Sequence, residues 1–166
     1  MISQTSEYAL RAAVFLAARG GDKPASAQEI SEATRVPVGY LQKILRMLSR
    51  HQILTAQRGA NGGFALVKVP TAISVLDIVK ASDGQIQRID RCPLGIVGHD
   101  KLCSLHRLLD EEMARAERTF AATSIADLLD GHGGVRPLCD PKGKLPVRVP
   151  LSVRQSESSS KNRARK

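Results

Sequence analysis

The stretch "VPVGYLQKILRMLSRHQILTAQRGANGGFALVKV", residues 36–69, changes its period part-way along. Its first half places Leu41, Ile44, Leu45 and Leu48 at helical spacing. Gly39, Tyr40, Gln42, Lys43, Arg46 and Arg50 lie off that stripe. Its second half is two short β-prone arms around a glycine-rich turn, which reads as a hairpin. A helix with one leucine stripe, followed at once by a hairpin, must find apolar cover from its neighbours.

The preceding residues supply that cover. Residues 4–19 carry Tyr8, Ala12, Phe15 and Leu16 at helical spacing, and Gly20 and Gly21 end the pattern. Ser26 with Glu29 three residues later is a capping box, so a short helix runs from there to about Thr34. Pro37 suits the first turn of the next helix. Helix, short helix, helix and hairpin form the order of a winged helix-turn-helix. The fold class expected is therefore mainly α with a small β-hairpin. Downstream, "SVLDIVKASDG" returns to helix. A long helix is expected from about Leu102 to Ala121, with Leu105, Leu108, Leu109, Met113 and Ala116 on one side. "SIADLLD" adds a short turn with Ser124 as its cap.

Charge points to a polyanionic partner, and its position matters more than its total. The net charge is +9. Residues 131–166 hold nine Lys/Arg and two acids, leaving only +2 for the first 130 residues. That tail has glycines, prolines and serines without periodicity and reads as disordered. The window 33–76 is more informative. It contains Arg35, Lys43, Arg46, Arg50, Arg58 and Lys68 and no acid. A B-form major groove, about 12 Å wide, admits a helix with such a face. A glycine-flanked arginine at a hairpin tip suits close approach to a phosphate backbone or a narrow minor groove.

Other classes fit poorly. No apolar run reaches the roughly 18–20 residues of a membrane span. The first twenty residues, with Glu7 and no basic leader, read as an amphipathic helix rather than a signal peptide. Three unevenly spaced cysteines do not make a disulfide framework, so a reducing cytoplasm is the expected home. There is no P-loop, no dinucleotide fingerprint and no HExxH, and an enzyme is not expected. The tail lacks aromatic residues for base stacking, which weakens an RNA-binding role.

The segments "SEYALRAAVFLA", "VPVGYLQKILRMLSRHQIL", "RGANGGFAL" and "SVLDIVKASDG", in that order, resemble the Rrf family of winged-helix regulators. The family includes iron–sulphur cluster regulators and nitric-oxide-sensing repressors. The resemblance covers about residues 1–130. It implies a dimeric, sequence-specific transcription factor that binds a double-stranded operator. Residues 1–82 would be the winged helix-turn-helix domain, 83–101 a cysteine-containing sensor loop, 102–130 the dimerisation helix region, and 131–166 the basic tail. The recognition helix would be Val38 to Arg50 and the wing Gln57 to Phe64. Tyr40, Gln42 and Lys43 lie near the start of that helix, and Gln42 can read adenine through two hydrogen bonds. Arg46 and Arg50 suit phosphates, Arg58 the adjacent minor groove, and Gly62 belongs to the wing turn. His51, at the end of the recognition helix, suits helix-end electrostatics.

"RCPLGIVGHDKLCSLH", residues 91–106, is a weak motif by itself. Cluster-binding relatives carry three cysteines here. Cys92 matches the first and Cys103 the last, and His106 matches an additional histidine ligand of the two-iron, two-sulphur type. The middle position falls near Val97 or Gly98, which have no ligating side chain. His99, or Glu7 from the partner's first helix, would have to complete the set. Three readings stay open: a cluster or metal on Cys92, Cys103 and His106; a thiol or zinc switch, because a thiol at a helix start is activated; and a cofactor-free loop with packing cysteines. Cys139, in the tail, has no neighbour at ligand spacing.

Overall fold

The computed structural model describes residues 2–59, 62–95, 101–130 and 137–138. Helix α1 spans Gln4–Ala18 and starts where the Ser3 hydroxyl accepts from the Ser6 amide at 3.1 Å. Its Ala9, Ala12, Ala13, Phe15 and Leu16 are buried. Small side chains on this face let α1 lie close to the helices around it. Helix α2, Ala27–Thr34, begins with the expected Ser26–Glu29 capping box. Arg35 then turns left-handed, with φ of 58°. Val36 drops into the core, and its carbonyl accepts from Ser31 Oγ at 2.6 Å. Helix α3 follows over Val38–Arg50, with Leu41, Ile44, Leu45 and Leu48 buried.

Strands β1, Leu54–Gln57, and β2, Gly63–Leu66, form the expected antiparallel hairpin, with Leu54 opposite Leu66 and Gln57 opposite Gly63. The hairpin is also fastened to the chain before α2. Ala25 exchanges two backbone hydrogen bonds with Phe64, at 2.8 and 2.9 Å. A Cβ on Gly63 would lie 2.5 Å from the Ala25 oxygen, so only glycine lets the two backbones meet.

A short 3-10 turn, Pro70–Ala72, leads to helix α4, Val75–Asp83, which opens with a Ser74–Asp77 capping box. Helix α5 spans Ser104–Ala122, and α6, Ile125–Leu129, is capped by Ser124 as expected. Helix α1 is central and packs against α2, α3, α4 and α6. Leu16, Ile30, Leu41, Ile44, Leu45, Leu48, Ile78 and Ile125 form the centre of the core. The start of α1 is pinned to the end of α4. The Ser3 amide and hydroxyl donate to Asp83, and buried Ser6 shares a 2.5 Å hydrogen bond with Ser82.

Helix α5 is the exception to this closure. Only Ala114 of its nineteen residues is buried. Leu105, Leu108 and Leu109 are exposed, and Met113 and Ala116 are half-buried. Of the tail, only Pro137 and Leu138 are described, and Leu138 packs against the core. His132 and Cys139 lie outside the described residues. No described helix is long and apolar enough to cross a membrane.

Candidate DNA interface and cysteine–histidine cluster

The geometry of α3 separates two faces. The leucine stripe is buried, while Gln42, Lys43, Arg46 and Arg50 are exposed. Arg58 is exposed where the hairpin turn begins. Among the described residues none of Lys43, Arg46, Arg50 and Arg58 forms an ion pair. Lys43, Arg46 and Arg50 recur at helical spacing along the exposed side of α3, and such a row of cations attracts a polyanion.

Tyr40 is held more firmly than its sequence position suggests. Its hydroxyl shares a 2.5 Å hydrogen bond with Thr5 Oγ1, and its ring meets Tyr8 edge-on at 5.9 Å. The Tyr8 ring in turn carries the Arg11 guanidinium at 5.4 Å. Tyr40 therefore ties the start of α3 to α1 while staying partly open to solvent. Gly62 has a structural task as well. A Cβ there would lie 2.4 Å from the Gln57 oxygen, so the turn needs glycine whatever it touches.

The cysteine loop gathers around one imidazole. Cys103 is the N-cap of α5, and its side chain makes no capping bond. Its Sγ lies 3.2 Å from His106 Nδ1, and Cys92 Sγ lies 3.8 Å from the same nitrogen. Cys92 is buried and Cys103 half-buried, both as free thiols. Residues 84–91 lead to Cys92 and fasten to α5. Arg88 grips Asp110 through two hydrogen bonds of 2.6 and 2.7 Å, and the Ile89 amide donates to the same carboxylate at 2.9 Å. The Arg88 guanidinium, then the Ile89 amide, hold the Asp110 carboxyl down to about 2. His99 lies outside the described residues. Glu7 is paired with Arg11 of its own helix at 2.6 Å. Among the described residues no three His, Cys, Asp or Glu side chains close into a metal centre.

The sequence profile of Rrf2, described as an iron-dependent transcriptional regulator, matches residues 2–131. The chain belongs to the Rrf2 family. Similar proteins include an Aquifex aeolicus helix-turn-helix type transcriptional regulator, 29% identical over 78% of this chain and 92% of the relative. The regulator NsrR of Geobacillus kaustophilus is 27% identical over 82% and 95%. Among solved structures, CymR, the global cysteine regulator of B. subtilis, superposes with a TM-score of 0.66 at 25% identity, covering 77% of this chain and 95% of that one. The fold is that of the winged-helix Rrf2 regulators, and the chain is a DNA-binding transcriptional regulator of the helix-turn-helix type.

For an Rrf2 chain, the donor chemistry of the loop suits an iron–sulphur group: two thiols and an imidazole, with mixed Cys/His ligation an established pattern. Cys92, Cys103 and His106 would supply three of the four donors such a group takes. Two structural features beside these candidate residues of the Rrf2 chain escape inspection of the sequence. The Thr5–Tyr40 bond joins residues 35 apart, and the Arg88–Asp110 fork joins residues 22 apart. Neither pair has a periodic or motif signal that announces it.

Proposed function

We propose that this regulator binds a double-stranded operator in the cytoplasm as a homodimer, with α3 in the major groove and the hairpin turn on the adjacent backbone. The observation that carries this is the two-faced α3: four buried core residues behind Gln42, Lys43, Arg46 and Arg50, all exposed. Tyr40, Gln42 and Lys43 meet base edges and nearby phosphates, and Gln42 pairs with adenine. Arg46 and Arg50 neutralise phosphates, Arg58 enters the minor groove, and Gly62 lets the turn come close. The exposed leucines of α5 pack against a second copy. Residues 131–166 add non-specific affinity through charge.

The loop holds the signal input. Cys92, Cys103 and His106 are the residues that hold an iron–sulphur group, of the two-iron, two-sulphur type, with His99 or the partner's Glu7 as the fourth donor. When bound, such a group responds to oxidants, nitric oxide or iron supply. The protein's own contribution is to aim two sulphurs at one imidazole beside the first turn of α5. A second reading has its own observation. The 3.2 Å approach of Cys103 Sγ to His106 Nδ1 suits a thiol switch with no cofactor.

Operator binding by gel shift tests the first part. If a dimer neutralises about six phosphates, affinity falls on the order of 10³ between 50 and 200 mM salt. Arg58→Ala weakens binding further; a flat salt response with unchanged R58A affinity would remove the interface. Visible absorbance with matching iron and sulphide, in protein purified without oxygen, separates the cluster from the bare thiol switch.

A further inference from the structure

We infer that Arg88 and Asp110 are positioning residues for the cysteine–histidine cluster: their fork holds residues 84–91 against α5 so that the Cys92 thiol is delivered to His106. The inference deepens the proposed sensing role by naming what gathers the donors. Residue 88 lies beside residue 110, and residue 92 beside residue 106, so this strap runs antiparallel to α5. Asp110 is one helical turn beyond His106, on the same face. The two attachments are thus successive rungs on one side of the helix.

What seats the strap is polar. No residue from 84 to 91 is buried, and α5 buries only Ala114, so apolar packing offers little grip. Three hydrogen bonds to one carboxylate, two of them a fork, fix both distance and direction. Asp110 keeps only 15% of its side chain exposed on a helix that is otherwise mostly open. Cys92, four residues past the fork, is buried at the strap's end. Cys103 and His106 belong to the start of α5 itself and need no strap to stay together. The fork therefore governs Cys92 alone, and this asymmetry is what an experiment can read.

The experiment is alkylation of the full-length, metal-free protein by iodoacetamide, followed peptide by peptide in a mass spectrometer. In Arg88→Ala, Cys92 is expected to react about tenfold faster, because the strap opens more often. Cys103 should change less than about twofold on the same grounds. Asp110→Asn keeps an acceptor for the Ile89 amide and loses the charge, so it should fall between the unsubstituted protein and Asp110→Ala. Arg115→Ala, which removes a pair with Glu112 on the same helix, should leave both thiols as they were. If R88A does not fold, the graded D110N result carries the test. Unchanged Cys92 reactivity in a folded variant overturns the inference. So does equal acceleration of Cys92 and Cys103, which would mean that α5 loosens as a whole. Cobalt(II) titration adds an independent arm, with weaker binding expected in R88A. Failure of the unsubstituted protein to bind cobalt would count against the cofactor proposal alone, since the alkylation ratio decides the fork by itself.

Discussion

Helices α3 and α5 carry similar leucine stripes and use them in opposite ways. In α3 the stripe is spent inside the protomer, and the charged face is left for a partner. In α5 the apolar side is what remains open: Leu105, Leu108 and Leu109 are 60%, 55% and 42% exposed, with only Ala114 buried. Periodicity alone does not distinguish the two. Position in the chain does: α3 is wrapped by α1, α2, α4 and β1, whereas α5 is met chiefly by α4. An exposed apolar face of this kind calls for another surface, and the proposed twofold partner would supply an identical one.

The contrast can be broken by exchanging the chemistry of the open face. Replacing Leu105, Leu108 and Leu109 together by Ser should give a folded monomer on a sizing column. Operator affinity should drop by about 10²- to 10⁴-fold as two linked half-sites become one. A dimer that survives with full affinity would assign those leucines to another role. The reverse test strikes the closed face. Leu45→Ala should cost about 2–5 kcal/mol of stability in urea unfolding, because it leaves a cavity among packed neighbours. It should leave dimerisation of the remaining folded protein unchanged. A loss under about 1 kcal/mol would mean that α3 is not seated as described.

The smallest effect sharpens the inner side of α5. Arg88 foremost, with the Ile89 amide, lowers the Asp110 carboxyl from 3.8 to about 2. A depressed carboxyl stabilises the fold fully above its unfolded value, and the contribution is lost as pH falls through the folded one. The strap should therefore hold at pH 5 and let go between about pH 4 and 2. Carboxyl NMR should place the Asp110 midpoint near 2, and Arg88→Ala should return it toward 3.8. An ordinary midpoint in the unsubstituted protein would show that the fork does not persist in solution.

The parts of the fold that repeat were legible. The stripe of α3, the hairpin, and the Ser26–Glu29 and Ser124 caps follow from spacing, because helices and caps are local. The Ser74–Asp77 box has the same local signature. Features that join distant residues were not legible. The Ala25–Phe64 bridge is a single residue pair between separate elements, and its sign in sequence was only the second of two adjacent glycines, Gly63. Gly62 stood out as part of a nucleic-acid turn, yet the Gln57 oxygen already demands glycine there. Tyr40 stood out as lying off the leucine stripe near the start of α3, and its bond to Thr5 came only with the packing of α1 on α3. Cys92, Cys103 and His106 were singled out by their correspondence to a family pattern, while the Arg88–Asp110 fork had no pattern to match.

Cys103 begins α5 with its backbone, accepting from the Arg107 amide at 2.9 Å, and leaves its sulphur uncommitted to capping. Any bond made to that sulphur pulls on the residue from which the helix departs. The nineteen residues of α5 extend about 28 Å at 1.5 Å per residue. A tilt of about 5° at the first turn thus displaces the far end by roughly 2.5 Å. A small movement at Cys103 is therefore enlarged along the helix, toward an end that the Val75–Thr123 backbone bond and the Ser74–Ser124 bridge join to the start of α4.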